Sequence, residues 1–460
     1  MHYVAIAPLA VSRRDTYTYR TKAELPPGTV VSIPYARRQG SGIVTGLAEP
    51  DDRARDADPT GERLPAWQLR FGRELADTCL APLGQTLGLF LPKWRDGLAP
   101  EVPRGAPAPA VELRTDTPPL RAGTRQTLVL VPERAMLRRA SEGALRFSAS
   151  APPAERRTVW EQVRSGTARL VFGTRSALFL PWHGLSEVTV LHEDELGHQN
   201  DRTPRFHARE AARLLAEAQG ARLTLVSPAP SLRAWALAGR PLTELPDIPP
   251  AALVAPRYER FDDPLPYGFA EKMRELAGSA LIHTVQGRVR ALREAAGEAG
   301  LTDVTAGGQA AALSSQRYDN VVSLGIDAIL ARPGYAVTER AMALLRKLAG
   351  LVRPGGTFLV YSKRQDHPAF AALGQPYETF LRTELEDRKA LSLPPAKPLI
   401  RIVASETERP KIEQALAKVS IGKRDVRYAT DAGMLTVSIK GDPRRFRGLI
   451  TPERRISVEY

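Results

Sequence analysis

The sequence predicts a multidomain α/β protein with a β-rich N-terminal domain, a central α/β region and a small α+β domain at the C-terminus. Three observations predict it. Short β-branched and aromatic runs crowd the first hundred residues. Further on, continuous apolar runs alternate with helical stretches, as buried parallel strands and their crossover helices do. Two proline-rich stretches, 99–110 and 241–256, cut the chain into parts. At 460 residues the chain is long enough for about three domains.

The N-terminal strands are expected at residues 3–6 (YVAI), 16–19 (TYTY), 29–33 (TVVSI) and 41–45 (SGIVT). Turns are expected at 26–28 (PPG) and 37–40 (RRQG), so these strands form a small barrel or curled sheet. Trp67, Phe71 and Leu75 recur every four residues, which is helical spacing within 64–90, broken at 82–84 (PLG). Buried strands are expected at 127–131, 170–173, 188–191 and 223–226, with a helix over 207–219. More follow at 280–283, 320–324 and 357–361, the last after a turn at 354–356 (PGG). Residues 376–392 read as a helix, and the last seventy mix strands and helices.

Composition narrows the function. Hydrophobic residues make up 43% and charged residues 25%, a globular balance and not a disordered one. The formal net charge of +14 favours a polyanionic partner. The one cysteine, Cys79, excludes a disulfide framework, a zinc ribbon and a cysteine-held iron–sulfur cluster. A reducing cytoplasmic compartment fits this. The first residues lack the basic region of a signal peptide, and no apolar stretch reaches the roughly 18 residues of a membrane span.

Four local patterns bear on chemistry. A phosphate-binding loop needs glycines, a lysine and a hydroxyl just after a strand; the Gly422–Lys423 pair is followed by Arg424 and reads as a surface turn. The run His192, Glu193, Asp194, Glu195 with His198 lacks zinc-protease spacing, because Leu196 stands where the second histidine belongs; a solvated loop is the plainer reading. Asp327 and the segment 351–360 resemble half of a methyl-donor-dependent methyltransferase, but no glycine-rich loop precedes them, and two sheet strands joined by a helix suffice. Tyr17, Tyr19 and Tyr35 lie near Arg13, Arg14, Arg37 and Arg38, a mixture suited to stacking on bases and neutralising phosphates, or else to ordinary strand packing.

Longer strings resemble the primosomal replication-restart protein N′ (PriA) family, from end to end with large gaps. Residues 16–19, 25–28, 31–35 and 42–44 look like its domain that captures the 3′ end of a nascent strand, and 80–84 and 91–92 like that domain's close. Residues 130–133, Trp160 and 173–179 (GTRSALF) are similar to the first helicase lobe, with 204–209 and 227–232 continuing the match. Residues 349–350, 367–368, 377–378, 384–385, Arg388, 390–391 and 394–395 look like the end of the second lobe and the start of the C-terminal domain.

The departures matter more. Family members are longer, and the chain has no counterpart of their winged-helix domain, phosphate loop or cysteine-rich zinc insert. The magnesium aspartate and catalytic glutamate align to Leu191 and His192, and the arginine-finger positions to Leu351 and Pro354. Loss of these groups removes positioning and charge stabilisation for phosphoryl transfer. In the 3′-end motif, Thr18 stands where the family has an aspartate.

The resemblance therefore implies a pseudohelicase that is not an enzyme and needs no cofactor or metal. Its expected domains are a 3′-end DNA-binding domain (1–98), a proline-rich linker (99–122), a degenerate helicase lobe 1 (123–240), a reduced RecA-like lobe 2 (241–375) and a C-terminal α+β domain (376–460). Expected DNA contacts are Tyr17, Thr18, Tyr19, Tyr35, Ala36, Arg37, Arg38 and Arg175. Expected partners are branched or single-stranded DNA, single-strand-binding protein, primosomal proteins and the helicase loader, with a cytoplasmic, nucleoid-associated location and no membrane. Rival readings are a residual ATPase using Glu193 and Asp194, a primosome scaffold with little DNA affinity, and, more distantly, a methyltransferase.

Overall fold

Six short strands at the N-terminus curl into one sheet, in the order Arg55–Asp56, Tyr17–Thr21, His2–Pro8, Arg38–Leu47, Thr29–Tyr35, Asp58–Arg63. This is a computed structural model that describes residues 1–12, 14–95, 97–102, 111–239, 242, 245, 247–260, 263–276 and 278–460. Arg13, most of the linker at 99–110 and part of the proline-rich stretch at 241–256 lie outside the described residues. The sheet is antiparallel apart from the parallel pairing of Arg55–Asp56 with Tyr17–Thr21. Alternation along each strand sends Val4, Ile6, Tyr19, Val31, Ile33 and Val44 into one core.

The hairpin turn differs from the expected one. Tyr35 pairs with Arg38, so the loop is only Ala36 and Arg37, both at positive φ (47° and 63°). Arg38, Gln39 and Gly40 continue the strand. A two-residue turn with both residues left-handed matches strand twist, and it forms here without the usual glycine or asparagine.

The expected helical stretch is two helices, Ala66–Thr78 and Leu83–Leu87. Trp67, Phe71 and Leu75 are buried. Gly84 does not end a helix but lies inside the second one. A Cβ there would fall 1.8 Å from the Pro8 carbonyl oxygen, so only glycine allows this close approach. Phe71 stacks on Phe179 with centroids 5.7 Å apart, and Phe90 meets Phe179 edge-on at 5.4 Å. The N-terminal domain thus shares an aromatic core with the α/β region that follows.

That region contains parallel strands in the order Arg222–Val226, Leu185–Leu191, Gln126–Leu130, Leu170–Gly173, Leu145–Phe147. Helices Pro153–Arg164 and Ala208–Gln219 are its principal helices. The C-terminal sheet is antiparallel, in the order Val426–Asp431, Met434–Lys440, Leu399–Ser405, Arg455–Glu459. Its core of Ile400, Ile402, Ile412, Val437 and Phe446 also takes in Leu80 of the N-terminal domain.

By contacts the chain divides into two units. One comprises Met1–Glu112, Thr117–Val226 and Arg388–Tyr460; the other comprises Leu113–Asp116 and Ser227–Asp387. The cuts at 226/227 and 387/388 differ from the expected 240/241 and 375/376. The reason is packing: Ala229, Leu232, Tyr377, Phe380 and Leu381 bury themselves in the core of the second unit. The second unit is an all-parallel sheet in the order Ala251–Val254, Val352–Tyr361, Tyr318–Ser323, Ala280–His283, Val304–Gly307. The expected turn at 354–356 is instead an irregularity within Val352–Tyr361, with Gly355 at φ 79°. The whole is a multidomain α/β fold.

Candidate nucleic-acid interface

Tyr17 and Tyr19 are two apart on one strand and therefore share a face. The structure gives them different fates. Tyr19 is 5% exposed and donates its hydroxyl to the Pro34 carbonyl at 3.3 Å. Burial holds its phenol above the ordinary tyrosine range. Tyr17 and Tyr35 remain half-buried at the rim of the same core, edge to face, with centroids 5.7 Å apart and planes at 67°.

The loop before the strand ties these rings down. Tyr35 Oη donates to the Val11 carbonyl at 3.2 Å, and Ser12 Oγ donates to Tyr17 Oη at 3.3 Å. Burial, first among several influences, raises the Tyr35 phenol too, so its hydroxyl stays a neutral donor near pH 7. Val11 and Ser12 carry no motif, and sequence reasoning missed them. The signal for Ser12 is its burial beside a tyrosine hydroxyl, which only the fold reveals.

Thr18 is half-buried and, by strand alternation, projects from the face opposite Tyr17. Ala36 and Arg37 form the hairpin turn next to Tyr35, and Arg37 and Arg38 are exposed. The geometry thus groups Tyr17, Tyr35, Ala36, Arg37 and Arg38 at one end of the sheet and takes Tyr19 inside. One aromatic pair beside two exposed guanidinium groups can stack a base and neutralise a phosphate.

Arg175 lies in the α/β region, half-buried just past Leu170–Gly173. Its Nη1 donates to the Gly197 carbonyl at 3.1 Å and its Nε to Asn200 Oδ1 at 3.3 Å. It therefore braces the loop around residues 197–200.

The acidic run after Leu185–Leu191 is not the solvated loop expected of it. Leu191 is buried at the strand end, and His192 takes φ 49°. Glu193 is 0% exposed and accepts from Arg209 Nη1 at 2.6 Å. His198 is also fully buried, with Nε2 2.9 Å from the Leu191 carbonyl oxygen. Burial drops its imidazole to about 4 and pushes the neighbouring His207, 5.9 Å away ring to ring, well below the usual histidine range. Both rings are neutral at pH 7. Among the described residues no three histidine, cysteine or carboxylate side chains group to hold a metal ion. Among those residues, too, no helix is long and apolar enough to cross a membrane.

Residues 5–92 match the family model of the 3′ DNA-binding domain (3′BD) of PriA. "Replication restart protein PriA" of Bacillus subtilis (strain 168) is 34% identical over 86 residues, which is 19% of this chain and 11% of that protein. The protein of the same name from Synechocystis sp. is 38% identical over 82 residues, 18% of this chain and 10% of that one. That of Helicobacter pylori is 24% identical over 274 residues, 51% of this chain and 44% of that protein. The matches thus span less than half of those relatives' length. Among solved structures, the Mycobacterium smegmatis helicase Lhr bound to ssDNA and AMP-PNP is similar at 14% identity and a TM-score of 0.37, over 70% of this chain and 54% of that one. So loose a superposition adds nothing to the assignment. The matched domain and these sequence relatives thus make the N-terminal part of the chain similar to the 3′ DNA-binding domain of PriA proteins.

Proposed function

We propose that this protein recognises branched DNA, such as stalled replication forks, by binding alone, and recruits restart proteins and the replicative helicase. Replication restart is the role in its relatives' names. The N-terminal domain supplies the DNA end of the reading, through Tyr17 and Tyr35 with Arg37 and Arg38; Thr18 offers a hydroxyl and Arg175 a further contact in the lobe.

The observation that carries ATP independence is the pair Leu191 and His192. They stand where the family resemblance places the magnesium aspartate and the catalytic glutamate. A buried leucine cannot ligate a cation, and histidine is a poor replacement for a carboxylate base. The adjacent Glu193 is held by Arg209. The stretch before Gln126–Leu130 supports the same reading: residues 112–126 (ELRTDTPPLRAGTRQ) contain no glycine-rich loop with a lysine to cradle phosphates. Without metal and phosphate positioning, binding energy does the work. The acidic tail of single-strand-binding protein suits the net charge of +14 and belongs to this reading.

The test is phosphate release from ATP with a forked DNA present, beside fork binding on the same preparation. Release at the blank level with binding retained is the expected result. Fork-stimulated release that Glu193→Gln abolishes would overturn ATP independence and favour a residual ATPase.

A further inference from the structure

A strand at the edge of a sheet offers a row of backbone N–H and C=O groups to any further strand, and proteins blunt such edges by shortening them or by placing proline in them. Several edges here are blunted in that way. Arg55–Asp56 is two residues long, Glu112–Arg114 and Leu145–Phe147 are three, and Asp58–Arg63 contains Pro59. Val426–Asp431, at the edge of the C-terminal sheet, is six residues long and has no proline. From Arg427 to Asp431 every residue of it is exposed.

The backbone geometry fixes which groups of this strand face outward. Asp431 pairs with Met434 across a two-residue turn, Ala432 and Gly433, both at positive φ (46° and 76°). The pair that closes such a turn exchanges both backbone bonds, and bonded and non-bonded pairs alternate from there. Asp431, Ala429 and Arg427 therefore bond to the strand Met434–Lys440, while the N–H and C=O groups of Tyr428 and Thr430 point out from the sheet edge. The strand is also anchored: Thr430 Oγ1 donates to Glu406 Oε2 at 2.8 Å, and the Arg409 guanidinium lies 5.3 Å from the Tyr428 ring centre. By strand alternation Arg427 and Asp431 project from the opposite face. Four residues of strand span about 13 Å, too far for these two to pair with each other.

We propose that a second copy of this chain adds its own Val426–Asp431 to this edge, antiparallel about a two-fold axis at Ala429. An antiparallel pair needs the outward-facing residues of both copies opposite each other. Centring on Ala429 meets that need: Tyr428 exchanges two backbone bonds with the partner's Thr430, and Thr430 two with the partner's Tyr428. The same register sets Arg427 beside the partner's Asp431 and Asp431 beside the partner's Arg427, so two opposite-charge pairs form on one face. The patch is thus complementary to itself, as a two-fold interface requires. Ala429, the smallest side chain of the strand, sits at the axis, where the strands approach to about 4.5 Å between Cα atoms. Centring on Tyr428 also matches the bonds, but it sets Arg427 beside the partner's Ala429 and leaves the charges unmatched. This contact does not depend on the DNA reading above. A strand pair of this length buries less than the roughly 1,200 Å² of a stable complex, so the dimer is a weak one.

The test is sedimentation velocity of the full chain, stripped of nucleic acid, at concentrations up to about 100 µM, where a weak interface is read. The parent should pass reversibly from monomer to dimer over this range. Arg427→Asp sets like charges opposite each other at both ends of the interface, and so does Asp431→Arg; each should raise the dissociation constant about tenfold or more. Melting curves first establish that the variants are folded. The two single variants mixed in equal amounts should associate again, because the acidic strand of one then faces the basic strand of the other. The double variant Arg427→Asp/Asp431→Arg should dimerise like the parent, since it only exchanges the charges. A parent that stays monomeric throughout overturns the proposal. So does a parent dimer that the single substitutions leave intact, which would place the contact on another face. Single variants that fail to associate when mixed overturn it as well.

Discussion

Glu193 and Arg209 form a buried ion pair, Oε2 to Nη1 at 2.6 Å, with the glutamate 0% exposed. The pair joins the loop after one sheet strand to the first turn of helix Ala208–Gln219. Arg209→Met leaves a carboxylate buried without its cation, at a cost of about 3–5 kcal/mol. Urea unfolding should show that loss, and Glu193→Gln added to Arg209→Met should recover part of it. A loss below about 1 kcal/mol would mean the pair is not buried as described.

Tyr17, Tyr19 and Tyr35 should separate in function. Tyr17→Ala and Tyr35→Ala each remove a stacking face, worth about 1–3 kcal/mol per stacked base. Fluorescence anisotropy on single-stranded DNA should show a fall of roughly 5- to 150-fold in affinity. Tyr19→Phe keeps the buried ring and loses only the 3.3 Å bond to the Pro34 carbonyl, so DNA affinity should hold while stability drops by about 1 kcal/mol. Equal effects at all three positions would show that stacking is not what Tyr17 and Tyr35 contribute.

In the function proposed above, the Thr18 hydroxyl sets the strength of 3′-end capture. An ionised acceptor bonds a terminal hydroxyl about twice as strongly as a neutral one does. Thr18→Asp should therefore increase discrimination between a strand ending in a 3′-hydroxyl and one ending in a 3′-phosphate, by about tenfold, in a competition titration. Unchanged discrimination would place the strand end elsewhere.

Acid should weaken the fold before its carboxylates protonate. His198 and His283 are buried, and burial lowers each imidazole to about 4, against 6.5 unperturbed. Between those values the unfolded chain takes up a proton that the folded chain refuses, so stability falls as pH drops from about 6.5 toward 4. Each residue contributes up to about 1.4 kcal/mol per pH unit in that window. Urea midpoints at pH 7 and pH 5 test this. In His283→Leu the dependence of the second unit should flatten; an unaltered dependence would mean that His283 is not buried neutral.

The regular elements were legible in the sequence because their signals are local. The run at residues 170–173 and the four-residue spacing of Trp67, Phe71 and Leu75 carry their own geometry. The hairpin was misplaced by two residues because Ala36 and Arg37 turn without the residues that announce a left-handed pair. Gly84 read as a breaker because nothing local shows the Pro8 carbonyl against it. The site was partly legible: Tyr17, Tyr35, Arg37 and Arg38 come together as their types suggested. The burial of Tyr19, the bracing bonds of Arg175 and the Glu193–Arg209 pair depend on what packs opposite, which periodicity does not encode.

The most direct measurement is anisotropy of a labelled fork against a blunt duplex of equal length, without nucleotide, across a salt series. Structure-specific recognition driven by binding alone predicts tighter binding to the fork at every salt concentration, with a preference that persists as the common electrostatic attraction is screened. Equal affinities that fall together with salt would contradict it, leaving only the general attraction of a +14 chain for DNA.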